Sequence, residues 1–129
     1  MKITHGREAG TRSEQRTETF TGEVWGDPVL AQTDDVVANN VFFAPGARTH
    51  WHRHERGQLL VVTAGEGRAG TRGGDGSRIG AGDTVWFPPG EEHWHGADAG
   101  SYLLHLAISI GKTEWLDPVS DEDYARGDR

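Results

Sequence analysis

Residues 46–65 read GARTHWHRHERGQLLVVTAG. Histidines stand two apart in it, at His50, His52 and His54. Alternate residues of a strand share a face, so this spacing predicts imidazoles presented to one side of a strand. The apolar run QLLVVTA follows from Gln58 and reads as the next strand. Glycines bound the stretch at Gly46 and Gly65, as turn residues do.

The same pattern recurs on both sides. Short apolar runs alternate with Gly, Pro or Asp: EVW, VVANNVFF, SRIG, TVWFPPG and SYLLHLAISI. Runs this short, rich in Val, Ile, Phe and Trp, are strands. No helical period is present before residue 112, so the expected class is all-β, a sandwich or barrel. At 129 residues the chain is expected to be one domain, 1–129. Residues 1–18 are polar and mixed in charge and read as a loose N-terminal arm, the alternative being an edge strand that packs on a partner subunit. Residues 36–110 read as the barrel core. Near the C-terminus Ser120 precedes Asp123 by three, a weak capping box for a short helical turn, DEDYAR. Trp115 and Leu116 are expected to pin that tail to the barrel.

Composition removes several functions. Acidic residues outnumber basic ones 20 to 13 with no basic cluster, which argues against nucleic acid. There is no cysteine, so disulfides and thiolate metal sites are excluded. MKITHGREAG lacks the apolar segment of a signal peptide, and the longest apolar runs are too short to span a bilayer. A cytoplasmic protein that binds no membrane is expected. GRAGTRGGDG lacks the Lys-Ser/Thr and the following helix of a phosphate loop, so it reads as a hairpin turn.

The chemistry lies in the histidines. Six of the seven fall between residues 50 and 105, and His5 in the arm is the exception. A second glycine-bounded unit, GDTVWFPPGEEHWHGA at 82–97, carries His93. Two such strand–turn–strand units suit a jelly-roll barrel. One supplies His52, His54 and Gln58, and the other supplies His93 from across the mouth. Three imidazoles and one amide oxygen then converge on a divalent ion. Donors of nitrogen and oxygen without sulfur are compatible with Mn, Fe(II), Co, Ni or Zn.

These motifs resemble the cupin superfamily. Its first motif, G-x5-H-x-H-x3,4-E-x6-G, is matched by GARTHWHRHERGQLLVVTAG except that Gln58 replaces the glutamate. Its second, G-x5-P-x-G-x2-H-x3-N, is matched by GDTVWFPPGEEHWHGA except that Ala97 replaces the asparagine. The resemblance implies a double-stranded β-helix, a conical jelly roll with the metal inside. The strings FTGEVWGDPV, LLHLAIS and WLDPVSDEDYAR are further similar to small single-domain bacterial cupins that include manganese-dependent hydroxynitrile lyases. That similarity runs from about residue 19 to residue 126. It implies His52, His54, Gln58 and His93 as ligands, and Mn(II) as the ion with Fe(II) second. His50 departs from it, since a small apolar residue is expected there. A neutral amide in place of the glutamate leaves the full charge on the ion, which makes a stronger Lewis acid.

On SYLLHLAISI, His105 shares a face with Ser101, Leu103, Ala107 and Ser109, and the opposite face is wholly apolar. The mixed face suits a site, so His105 is the expected pocket acid/base and His95 the second candidate. On VVANNVFF, Asn39, Val41 and Phe43 share a face. The resemblance places Asn39 and Val41 in the substrate pocket, and alternation adds His50. Trp51, Trp86 and Trp94 read as core or rim packing. The expected function is metal-dependent cleavage and synthesis of cyanohydrins from a small-molecule substrate. The alternatives are an Fe- or Mn-dependent dioxygenase and a non-catalytic small-molecule-binding cupin. A homodimer or homotetramer is expected.

Overall fold

The computed structural model describes residues 1–74 and 76–129. Its strands are β1 (Glu14–Arg16), β2 (Phe20–Thr21), β3 (Val24–Thr33), β4 (Val36–Phe43), β5 (Arg48–Thr49) and β6 (His52–His54). They continue with β7 (Gln58–Thr71), β8 (Gly76–Gly80), β9 (Thr84–Phe87), β10 (His93–Ala97), β11 (Leu103–Ile110) and β12 (Thr113–Trp115), and one helix, α1 (Asp121–Arg126), ends the chain. The fold is the expected nearly closed, all-β jelly roll with a short C-terminal helix. No helix among the described residues is long and apolar enough to cross a membrane.

The sheet runs β1-β3-β4-β11-β7-β10-β5-β2. The 14-residue β7 joins its two halves. Its first half pairs with β11 and β9, and its second half with β10 and β8. Alternation then fills the interior. On β11 the residues Leu103, His105, Ala107 and Ser109 are buried, while their neighbours are half-buried. Val24, Val41, Phe43, Leu60, Val62, Phe87 and Leu103 form the core between the halves. Burying each such side chain contributes about 1.5–3 kcal/mol.

The tail closes a second cluster of Trp51, Trp94, Val119 and Tyr124. Ser120 caps α1, accepting from Asp123 N at 3.1 Å as the capping pattern requires. The Tyr124 ring lies between two guanidinium groups, Arg48 at 4.5 Å and Arg68 at 4.4 Å. Its hydroxyl donates to Ala97 O at 2.8 Å. Trp51 and Trp94 are thus core residues, and Trp86 is exposed on the rim. Leu116 packs on this cluster, but Trp115 faces the barrel mouth, its ring 4.6 Å from that of His52.

The arm differs from its expectation. Residues 14–16 form β1 on the edge of β3, and upstream Glu8 N donates to Pro28 O at 2.9 Å. Glu8 also accepts from Ala31 N at 2.9 Å through its carboxylate. Polar composition concealed this because an edge strand needs only main-chain partners, not apolar side chains. The hairpin read at GRAGTRGGDG joins β7 to β8, with Asp75 of its turn outside the described residues.

Candidate metal centre

β6, β7 and β10 carry the expected ligands to one point inside the barrel. His93 of β10 lies opposite His52 of β6 in antiparallel register. The His52 ring centroid is 4.3 Å from that of His93 and 5.1 Å from that of His54. Gln58 opens β7, and its Oε1 is 3.0 Å from His93 Nε2. All four side chains are buried.

Neighbours fix which atoms face inward. The His52 Nδ1–H donates to His50 O at 2.9 Å, leaving Nε2 with a lone pair. His54 Nδ1 contacts Thr113 Oγ1 at 2.9 Å, and its buried Nε2 has no partner. Gln58 Nε2 donates to Ser109 Oγ at 3.0 Å, which turns Oε1 toward His93. His93 faces two oxygens, Glu91 O at 2.8 Å from Nδ1 and Gln58 Oε1 at 3.0 Å from Nε2. A neutral ring carries one N–H, so one of these contacts lacks a proton. Burial holds His93 down to about 3, so the ring is neutral. A cation at Nε2 resolves the conflict. The residues therefore fit a divalent metal, with His52, His54, Gln58 and His93 to hold it.

Behind them lies a second imidazole pair. His105 Nε2 is 2.9 Å from His95 Nδ1. Both rings are buried, and His95 Nε2 and His105 Nδ1 have no partner. Ring nitrogens of His52, His93 and His95 all lie within 4.8 Å of one another, so these three imidazoles form a group that could itself hold an ion, and His54 falls outside that grouping. Burial is the first cause holding all these imidazoles below their ordinary range. His54 and His105 fall to about 4, and His52 and His95 lie well below the usual 6.5.

A cavity of about 420 Å³ opens onto this group. Asn39, Val41, His52, His54, Gln58 and His95 line it. His105 and His50 are not among its lining residues. His105 stands one layer back, buried against Phe43 with ring centroids 5.2 Å apart. For His50 the reason is a break in alternation. β5 ends at Thr49 and the chain bends at Trp51 before β6, so Thr49 and His52 face inward while His50 turns toward the tail. There it lies beside Asp117, half-buried, and burial lowers its pKa.

Some site residues escaped the sequence reading. Thr113 and Ser109 orient His54 and Gln58. Ser109 lay on the singled-out face of β11, so its signal was present. Trp115 and residues 14–20 also wall the cavity. Nothing in the polar arm announced this.

Comparison with known proteins agrees with this fold. The family model described as cupin domain matches residues 39–108. The (R)-mandelonitrile lyase of Granulicella tundricola is 49% identical over 113 residues, covering 83% of this chain and 86% of that protein. A cupin-like protein from Thermotoga maritima superposes with TM-score 0.85 at 36% identity, covering 95% of this chain and 98% of that one. The polyketide cyclase RemF from Streptomyces resistomycificus shares the fold, with TM-score 0.73 at 20% identity over 96% of this chain and 90% of its own.

Proposed function

The chain belongs to the cupin domain family, and on that premise we propose that it is a metal-dependent lyase that cleaves and forms cyanohydrins of small aldehydes. The observation that carries the reading is the pairing of the two groups. The metal-fitting imidazoles meet at His95, a neutral ring on the cavity wall whose Nε2 has no hydrogen-bond partner. The relative named as a mandelonitrile lyase supports the reaction class.

A divalent ion on His52, His54, Gln58 and His93, which we assign as Mn(II) with Fe(II) second, supplies Lewis acidity toward a substrate hydroxyl. His95 acts as the base in the tautomer whose Nδ1–H donates to His105 Nε2, since its Nε2 then holds a lone pair. It takes the hydroxyl proton of the cyanohydrin. The bond to the nitrile carbon breaks as the carbonyl forms, and its electron pair leaves with cyanide. The His95 imidazolium then protonates cyanide to hydrogen cyanide. Synthesis reverses these transfers. His105 positions His95 through the Nε2–Nδ1 contact. Burial keeps His95 neutral beforehand, as a base must be. Val41, Phe43 and Ala107 give the cavity an apolar wall for the aldehyde substituent, and Asn39 adds one polar group to it.

The test is release of benzaldehyde from mandelonitrile by Mn(II)-loaded protein at mildly acidic pH. Protein carrying both His52→Ala and His54→Ala runs alongside. Release that disappears in the double variant is expected. Release no faster than the variant's, with oxygen uptake on adding small organic substrates to the Fe(II)-loaded protein, would replace the lyase by an oxidative enzyme.

A further inference from the structure

Most arginines of the described chain are ion-paired, but Arg16 is not. Arg12 and Arg129 also lack partners, and both are exposed. Arg16 is half-buried and lines the cavity, yet among the described residues it makes no ion pair and no side-chain hydrogen bond. A cation held at a cavity wall without a counter-charge is positioned to receive one from a ligand.

The backbone makes room for it. Arg16 of β1 pairs with Val24 of β3, and both point inward. Its guanidinium lies across Gly26, two residues further along the same face. A Cβ at Gly26 would come within 2.6 Å of Arg16 Nε and 2.9 Å of its Nη2. Glycine at this position is therefore what lets the guanidinium lie flat against the strand. Glu14 lies on the same face but is exposed and beyond ion-pair distance. Glu18 is likewise exposed at the rim.

Register sets the reach from this guanidinium to His105, whose Nε2 is 2.9 Å from Nδ1 of the base His95. Gly26 pairs with Val41, and Val41 pairs with His105. Two strand spacings, about 10 Å, separate the backbones of Gly26 and His105. His95 and the metal set face the same cavity. Asn39 is two residues from Val41 on that wall and offers an amide between the two ends.

We propose that Arg16, seated on Gly26, is an anion subsite, and that the substrate of this enzyme carries a carboxylate. The proposal rests on the lyase reading for the identity of the reacting end. The carboxylate pairs with the guanidinium while the carbonyl or hydroxyl carbon sits by His95. A span of about 10 Å fits a substrate with an aromatic ring or a short chain between these groups. Arg16 is then a specificity-determining residue that takes no part in proton transfer.

Two measurements on the Mn(II)-loaded protein test this. The first is calorimetric binding of 4-carboxybenzaldehyde against benzaldehyde. The second is kcat/KM for the cyanohydrins of the same two aldehydes. Wild type is expected to favour the carboxylate in both, by about 10- to 100-fold, as a charge-assisted pair warrants. Arg16→Gln should collapse both ratios toward one. Gly26→Ala keeps the charge but displaces the guanidinium, and should reduce both ratios as well. Carboxylate binding that survives Arg16→Gln unchanged overturns the subsite, including the case in which the carboxylate is held by the metal. Equal ratios in wild type overturn it too, whether or not mandelonitrile is cleaved. Arg16-dependent binding without turnover of either cyanohydrin supports the subsite and removes the lyase reading.

Discussion

Gln58 is the residue on which the character of the site turns. Its amide spends its donor on Ser109 and presents only oxygen to the imidazoles, so it contributes no charge. Gln58→Glu would cancel one unit of charge on a bound ion. We expect Mn(II) to resist chelators better in that variant, while mandelonitrile turnover falls roughly 10- to 100-fold, as weaker Lewis acidity dictates. Atomic emission after dialysis against EDTA, run beside the kinetics, checks both halves. His95 and His105 differ in a testable way. His95→Ala removes the base and should lower kcat by about 10²- to 10⁴-fold. His105 holds the His95 pKa down, second only to burial. His105→Gln should therefore cost less rate and move the acid limb of the pH–rate profile to higher pH. A limb that stays in place would reduce His105 to a packing residue.

Among the elements, β7 carries Gln58 and β11 carries Ser109 and His105 behind it, and the two strands meet at one crowded glycine. Gly65 has φ +79° and faces the backbone of Tyr102 and Leu103 so closely that a Cβ would collide with Tyr102 O. The ladder between the strands shifts nearby: Leu104 pairs with Ala64 and His105 with Val62, so Thr63 is an extra residue on β7, and the alternation of β7 breaks there while that of β11 continues. Gly65→Ala should cost about 2–3 kcal/mol, combining left-handed backbone strain with the steric clash. Urea unfolding measures it, and a loss under 1 kcal/mol would show that the strand relaxes without effect. The helix α1 makes the opposite kind of contribution. None of its residues lines the cavity, but Tyr124 holds the outer end of β10 through Ala97 O. This is consistent with the sequence pattern, which showed a capped turn and no chemistry.

Taken as a whole, the molecule buries several neutral imidazoles, and this links stability to pH and to metal. His105 has a folded pKa of about 4 against an ordinary 6.5, so the unfolded chain binds more protons between these values. Stability of the metal-free protein is therefore expected to be full above about pH 6.5 and to fall as pH drops toward 4. His54 and His93, depressed in the same direction, deepen the loss. Thermal melts at pH 7.5, 6, 5 and 4 should show midpoints descending in that window, and a flat series would contradict the burial of these rings. Metal acts the other way. An ion bound only by the folded state adds about 2.7 kcal/mol at 100 times its Kd, roughly a 10 °C rise in Tm for a domain of this size.

The sequence by itself determined the class of fold and named the candidate ligands. Both are written in local spacing. Strand alternation and glycine-bounded turns act over a few residues, and His-x-His with Gln58 and His93 at their intervals carries the rest. Gln58 in place of glutamate was legible there too, with its consequence for charge. Only the tertiary structure decided which histidine meets the cavity. His95 and His105 lie on different strands, β10 and β11, and their order of depth depends on how those strands cross, which no spacing within either strand records. It also removed His50 from the wall, because a bend at Trp51 breaks the two-residue period on which its assignment relied. The arm was the least legible part. Arg16 gains its place from the missing side chain at Gly26, ten residues away, and a vacancy of that kind exists only once β1 lies on β3.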